Sequence, residues 1–214
     1  MVGAWDDNLF AGGNARIPGG FCKREYPANL LDQINLEFES MSDIVFTTER
    51  LIVRRWRASD LADLLAVYGD AKAMRWVGDG EPITEAECVK WVEVTRANYD
   101  KRGYGMFAVE AKSTPGVIGF CGIVHPGGQD EPEIKYAFLR SQWGRGIATE
   151  AVVGLMAYGR NAHRLRHIIA TTAPENIASH RVLLKAGMVH GALRQDEDGD
   201  LTQVFEWRAG EGAA

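Results

Sequence analysis

Gly144 and Gly146 stand where chemistry is easiest to place. Upstream, Glu133 to Leu139 is an apolar, β-forming run. Downstream, Ile147, Ala151, Leu155 and Tyr158 recur every three to four residues, as on one face of a helix. A strand feeding a glycine-rich turn at a helix N-terminus can hold a phosphate. Glycine lets the backbone come close, and unpaired N–H groups and the helix dipole point at the anion. Taken alone, the two glycines read equally well as a tight turn. The pattern is not GxxxxGK[ST], because no Lys-Ser or Lys-Thr pair follows, and not GxGxxG, because Thr149 stands where the third glycine would be. Cys22, Cys88 and Cys121 are widely spaced, and His163, His167, His180 and His190 lack metal spacing, so no metal is expected. Cys121, within GFCGIV, has no evident base beside it, which argues against an acyl-cysteine route.

The residues after the glycines narrow the reading. The stretch WGRGIATEA resembles the acyl-CoA pyrophosphate loop of the GNAT superfamily of N-acyltransferases, Q/R-x-x-G-x-G/A. Trp143 takes the Gln or Arg place, followed by Gly146 and Ala148. A tryptophan there, with Thr-Glu-Ala after it, is similar to the branch that acetylates ribosomal-protein N-termini (RimJ/RimL-like). A second block, Asn176 to Met188, resembles the family's N-x-x-[AS]-x-x-x-x-x-K-x-G-[FM] helix. Both blocks in the right order are far more specific than either alone. The resemblance spans about residues 46 to 208. It implies an α+β (mixed α/β) fold, a mostly antiparallel twisted sheet with helices on both faces. It also implies acetyl-CoA as co-substrate. The positions implied to bind it are Phe138, Leu139, Gly144, Arg145, Gly146, Ile147, Ala148, Thr149, Asn176, Ser179 and Lys185. Asn176 can cap its helix and offer its amide to the donor, and Ser179 lies one turn on. An ordinary helix explains Lys185 as well as a ligand does.

The implied reaction is direct attack of a primary amine on a thioester in a ternary complex. An alkyl ammonium titrates near about 10 and an α-amino group near about 8, so a base or a water wire must take a proton. Glu133 is the candidate base, since related enzymes often carry a Glu on this strand; a solvated strand-edge glutamate is the equal alternative. Glu150, in the first turn of the phosphate helix, is a poorer candidate. A main-chain N–H of the central strand is expected to meet the oxyanion. Many family members carry a tyrosine acid seven residues after the Asn; here that position is Leu183. Ser179 is the substitute the branch implies, by hydrogen-bonding the sulfur or relaying through water, against a simple capping serine. Tyr136 reads as core aromatic, and His125 as a strand-end residue that lines a cleft or simply packs.

The elements that position these residues follow from the rest of the chain. Its 214 residues, 46% hydrophobic and 25% charged, suit one globular domain plus extra length. A net charge of −5 argues against nucleic acid as a partner. The cysteine usage, the lack of a long apolar run and the lack of a signal-like start imply no membrane partner and a cytoplasmic home. Residues 1–43 read as an extension, glycine-rich at first, with a short helix over Asn29–Met41. Either the natural chain starts at Met41, or the extension covers a partner or a neighbouring subunit. Residues 44–210 form the acyltransferase domain. Thr47–Trp56 reads as a strand, and Ser59 or Asp60 caps a helix with Leu61, Leu64, Leu65 and Tyr68. Thr84 and Glu87 form a capping box for a helix ending at Gly103. Strands follow over Tyr104–Lys112, Val117–His125, Arg166–Thr172 and, as a closing hairpin, Met188–Arg194 with Leu201–Arg208.

The acceptor is left to the parts without a portable motif. Trp76, Val77, Trp91, Tyr99 and the Gln195–Leu201 turn are expected near its mouth. Asp196, Glu197, Asp198 and Asp200 attract a cationic amine or are simply solvated. The resemblance to the ribosomal-protein branch favours a protein or peptide N-terminus over an amino acid, a polyamine or an aminoglycoside. A non-catalytic acyl-CoA sensor or scaffold is the competing class, and a homodimer is compatible with the resemblance.

Overall fold

The computed structural model describes residues 43–77, 80–195, 199 and 201–210. The proposed tail helix, Cys22 and the acidic residues of the last hairpin turn lie outside them. In chain order the elements are β1 (Ile44–Thr47), β2 (Leu51–Arg54), α1 (Leu61–Tyr68), α2 (Ala71–Met74), α3 (Glu85–Arg102), β3 (Met106–Ala111) and β4 (Thr114–Val124). Then come β5 (Glu133–Phe138), α4 (Ile147–His163), β6 (His167–Thr172), α5 (Ile177–Lys185), β7 (Val189–Gln195) and β8 (Leu201–Arg208). The strands lie side by side as β1-β2-β3-β4-β5-β6-β8-β7. Neighbours are antiparallel except β5 and β6, which run parallel. The expected mixed, mostly antiparallel sheet is therefore present.

Alternation along the strands splits the core in two. On one face Met106, Ala108, Phe120, Val124 and Ala137 pack against Leu64, Val67, Tyr68, Cys88, Trp91 and Val92 of α1 and α3. On the other, Phe107, Val109, Cys121, Ile123 and Ile134 pack against Ala151, Val152, Leu155 and Leu183 of α4 and α5. The Thr84–Glu87 capping box forms, and Gly103 ends α3 in the left-handed region at φ 78°.

Two expectations are corrected. Thr47–Trp56 is not one strand: Thr47 ends β1, a turn follows, and Leu51–Arg54 forms β2. The Thr48 N–H donates to the Leu51 carbonyl at 3.0 Å, and the Leu51 N–H donates to Thr48 Oγ1 at 3.1 Å. A hydroxyl that bonds its own backbone favours a turn over extension. Asp60 precedes α1 as expected but makes no side-chain cap. Its buried carboxylate instead accepts from both terminal nitrogens of Arg54, at 2.7 and 2.8 Å, and from the Arg57 N–H at 2.8 Å. A bidentate guanidinium outcompetes a cap for the same oxygens.

Candidate active site

The sheet opens between β5 and β6. The two share one register position, Glu133 opposite Ile169. The Ile169 N–H donates to the Pro132 carbonyl at 2.9 Å. The next N–H along that edge, from Thr171, goes to the Glu133 carboxylate at 3.2 Å, where a regular parallel ladder would offer it a main-chain carbonyl. Past this point no further register position joins the two strands, and the gap is the candidate site.

Alternation decides what faces the gap. The Leu139 N–H donates to Ile118 on β4, so alternate residues, Tyr136 and Phe138 among them, turn their main-chain groups to the β6 side. Side chains alternate as well: Glu133, Lys135 and Ala137 lie on the α1–α3 face of β5, and Ile134, Tyr136 and Phe138 on the α4–α5 face.

Glu133 is not a solvated edge residue; it is 2% exposed. Lys135, also buried, ion-pairs with it, and Thr171 Oγ1 donates to the same carboxylate oxygen. Gln129 Nε2 donates to the other oxygen at 3.1 Å. Lys135 Nζ also donates to Thr171 Oγ1, at 3.0 Å. Counting the Thr171 N–H, the carboxylate takes four donors, about its full lone-pair capacity. The hydroxyl of the half-buried Thr171, on β6, bridges the acid and the ammonium of β5.

On the other face, the Tyr136 hydroxyl donates to Ser179 Oγ at 3.1 Å. Burial pushes this phenol up to about 12, with the Ser179 hydrogen bond pulling the other way. Sequence reasoning took Tyr136 for a core aromatic and missed this pairing. The only available signal was its parity with Phe138 on the strand. Asn176 caps α5 by accepting from the Ser179 N–H at 3.2 Å, which leaves its amide NH2 as a donor. Leu183 is buried in the core, so the position seven residues after Asn176 offers no hydroxyl. Lys185 is exposed in the last turn, about 13 Å along the helix from Asn176 at 1.5 Å per residue, and so stands apart from the other candidates.

The turn after β5 forms a cradle. Gly144 and Gly146 have φ of 72° and 77°, where a side chain would be strained. Gly146 is the N-cap of α4 and supplies no side-chain cap, while the Glu150 N–H already donates to the Gly146 carbonyl at 3.1 Å. The N–H groups of Ile147, Ala148 and Thr149 are thus the first-turn donors that face outward. A Cβ at Gly144 would meet nothing within 4 Å, so the loop is open on that side. Trp143 Nε1 donates to the Phe138 carbonyl at 2.9 Å and ties the loop to the end of β5, while the Arg145 guanidinium donates to Gln142 at 3.1 Å. Phe138 is buried beneath the loop, and Leu139 leads into it.

The other candidates lie elsewhere. Trp91 packs on Trp56, Tyr68 and Phe120, and Tyr99 stacks on Phe107; both are core residues, not cleft residues, because each presents a broad apolar ring to the sheet. His125 sits between the Tyr104 hydroxyl and the Gln129 carbonyl, and His180 bonds the Ala173 carbonyl beside Phe205. Among the described residues no His, Cys, Asp and Glu group could hold a metal, and no helix is long and apolar enough to cross a membrane.

This geometry has relatives. The family model described as the acetyltransferase (GNAT) domain matches residues 50–189. The uncharacterized N-acetyltransferase p20 of Bacillus licheniformis is 31% identical over 165 residues, covering 74% of this chain and 91% of that protein. The acetyltransferase from Agrobacterium tumefaciens str. C58 is similar in structure at a TM-score of 0.64 and 25% identity, over 76% of this chain and 93% of that one. RimL, a ribosomal L7/L12 alpha-N-protein acetyltransferase solved in complex with coenzyme A, shares the fold at a TM-score of 0.65 and 17% identity, over 77% and 97% of the two chains. The family match covers well over half of the chain, and on it the chain belongs to the GNAT acetyltransferases and is an N-acetyltransferase.

Proposed function

We propose that the chain transfers the acetyl group of acetyl-CoA to the α-amine of a protein or peptide N-terminus, by direct attack within the β5–β6 opening. The observation that carries this is the division of groups across β5: Glu133 and Thr171 on one side, Tyr136 and Ser179 on the other. An amine approaching one face of a thioester and a thiolate leaving on the other need a proton acceptor and a donor on opposite sides. The donor's pyrophosphate lies on the first-turn N–H groups of α4 beside Gly144, Arg145 and Gly146. Its pantetheine runs into the opening past Phe138 and Leu139, with Asn176 as an amide donor. The main-chain N–H groups of Tyr136 and Phe138 face the place where the oxyanion develops.

As the C–N bond forms, the amine proton passes through the Thr171 hydroxyl to Glu133. As the C–S bond breaks, the Tyr136–Ser179 pair hydrogen-bonds the departing sulfur. Four donors already occupy the Glu133 carboxylate and leave little lone-pair capacity for a further one. That favours an acceptor amine needing little help. An α-amine near about 8 is free at pH 7 in roughly one molecule in ten, whereas an alkyl ammonium near about 10.4 costs a further ~3 kcal/mol to deprotonate. RimL, which shares the fold, is named for an acceptor of this kind.

The test compares the wild type with Glu133→Gln on matched peptides, one with a free N-terminus and one with a blocked N-terminus and a lysine, below acceptor saturation. The proposal expects turnover on the free N-terminus and a loss of at least about tenfold in the variant. An undiminished rate removes Glu133 from the mechanism, and preference for the lysine peptide removes the α-amine.

A further inference from the structure

The turn between β1 and β2 reaches the phosphate cradle, and it does so by a close approach. A Cβ at Gly154 of α4 would lie 2.5 Å from the Phe46 ring, so the missing side chain lets β1 lie directly on the helix. Phe46 then stacks on Tyr158 one turn further along, with ring centroids 5.7 Å apart. That contact places Thr48 and Arg50 at the N-terminal end of α4, against Glu150. Thr48 Oγ1 donates to Glu150 Oε1 at 2.5 Å, the Arg50 N–H to the same oxygen at 2.8 Å, and Arg50 Nε to Oε2 at 2.6 Å. Arg50 Nη1 donates in turn to the Arg145 carbonyl at 2.9 Å, inside the glycine loop. Burial alone would raise the Glu150 carboxyl, but these donors outweigh it and hold it below the usual range.

A glutamate in the first turn is favoured by the helix dipole and therefore stays ionised beside any anion bound there. In this chain it is neither absent nor solvated; it is held by a guanidinium that also grips the loop. We infer that Arg50 is a positioning residue for the donor's phosphates. It neutralises Glu150 and fixes the Arg145 carbonyl, so that the open N–H groups of α4 meet the pyrophosphate without an unpaired carboxylate beside them. The inference rests on the acetyl-CoA reading above and adds a charge arrangement to it.

A double-mutant cycle tests it. Acetyl-CoA is titrated calorimetrically into the wild type, Arg50→Gln, Glu150→Gln and the double variant, with thermal unfolding to establish that each is folded. An unpaired carboxylate near the phosphates should make Arg50→Gln bind about tenfold more weakly. Removing that charge should restore the double variant to within about threefold of Glu150→Gln alone. A residue that merely braced the turn, or touched the phosphates itself, would show no such rescue. A double variant as weak as Arg50→Gln overturns the inference and leaves the donor reading intact; Arg50→Ala with Glu150→Ala repeats the cycle if a glutamine variant does not fold. Failure of the folded wild type to bind acetyl-CoA at all overturns both.

Discussion

Replacing Tyr136 by phenylalanine removes one oxygen from the site and little else. That oxygen donates to Ser179 Oγ at 3.1 Å, and the ring stays where Phe138 and the sheet hold it. The size of the loss follows from the acidity of the phenol. Burial pushes it up to about 12, whereas a free alkyl thiol titrates near about 8.5. Full proton transfer to the thiolate is therefore uphill by roughly 3.5 units, or ~5 kcal/mol at 1.36 kcal/mol per unit. In the proposed step the hydroxyl turns from Ser179 Oγ to the departing sulfur, and a hydrogen bond to a charged group is worth about 1.5–3 kcal/mol. Removing it should lower kcat by about 10- to 150-fold with little change in KM for the donor. The assay is steady-state release of free thiol on the best N-terminal peptide. An acyl thioester with a more acidic thiol should shrink the difference between the two proteins, because its anion needs less help. An unchanged kcat, or a defect confined to KM, would refute the assignment. The same burial keeps the phenol protonated up to about pH 12, so its ionisation should leave the rate untouched below about pH 10.

Other consequences follow from groups around the site. Asp60→Asn leaves the buried Arg54 with Glu110, at 2.6 Å, as its only carboxylate partner among the described residues, and should cost about 3 kcal/mol in urea unfolding; a loss under about 1 kcal/mol would contradict the ion-pair argument. Glu150 titrates below its ordinary value of 4.5 in the folded chain, so its stabilising contribution is present above that pH and is lost as pH falls through the lower folded value. Glu150→Gln should therefore flatten the acid limb of a Tm-against-pH curve below about 4.5, and parallel limbs for the two proteins would count against it.

Much of the frame was legible in the chain because its signals are local. The capping box at Thr84 and Glu87, the left-handed glycine at 103, and the strand–glycine–helix transition at Gly144 to Ile147 each need only neighbouring residues to be read, and the structure has them all. What was missed depends on distant partners. Asp60 reads as a cap until Arg54 is folded against it, and Trp91 and Tyr99 read as cleft residues until the sheet is laid beneath them. Glu133 looked like a coin-toss between base and surface residue because nothing in its neighbourhood announces Thr171, 38 residues later. Tyr136 was set aside for the same reason: its partner is Ser179, 43 residues on, across a gap that exists only because β5 and β6 part after a single register position. The Arg50–Glu150 contact spans 100 residues and depends on a glycine, Gly154, that reads as an ordinary helix interior position.

The central claim is that the N–H groups of Ile147, Ala148 and Thr149 receive the donor's pyrophosphate, and a calorimetric titration of acetyl-CoA into the wild type and Ala148→Asp tests it most directly. The account predicts saturable binding by the wild type in the range of about 1–100 μM, or about −8 to −5.5 kcal/mol, and no measurable binding by a folded Ala148→Asp, in which a carboxylate sits where the phosphate should. Equal affinity in the two proteins, or no binding by the folded wild type, would contradict it.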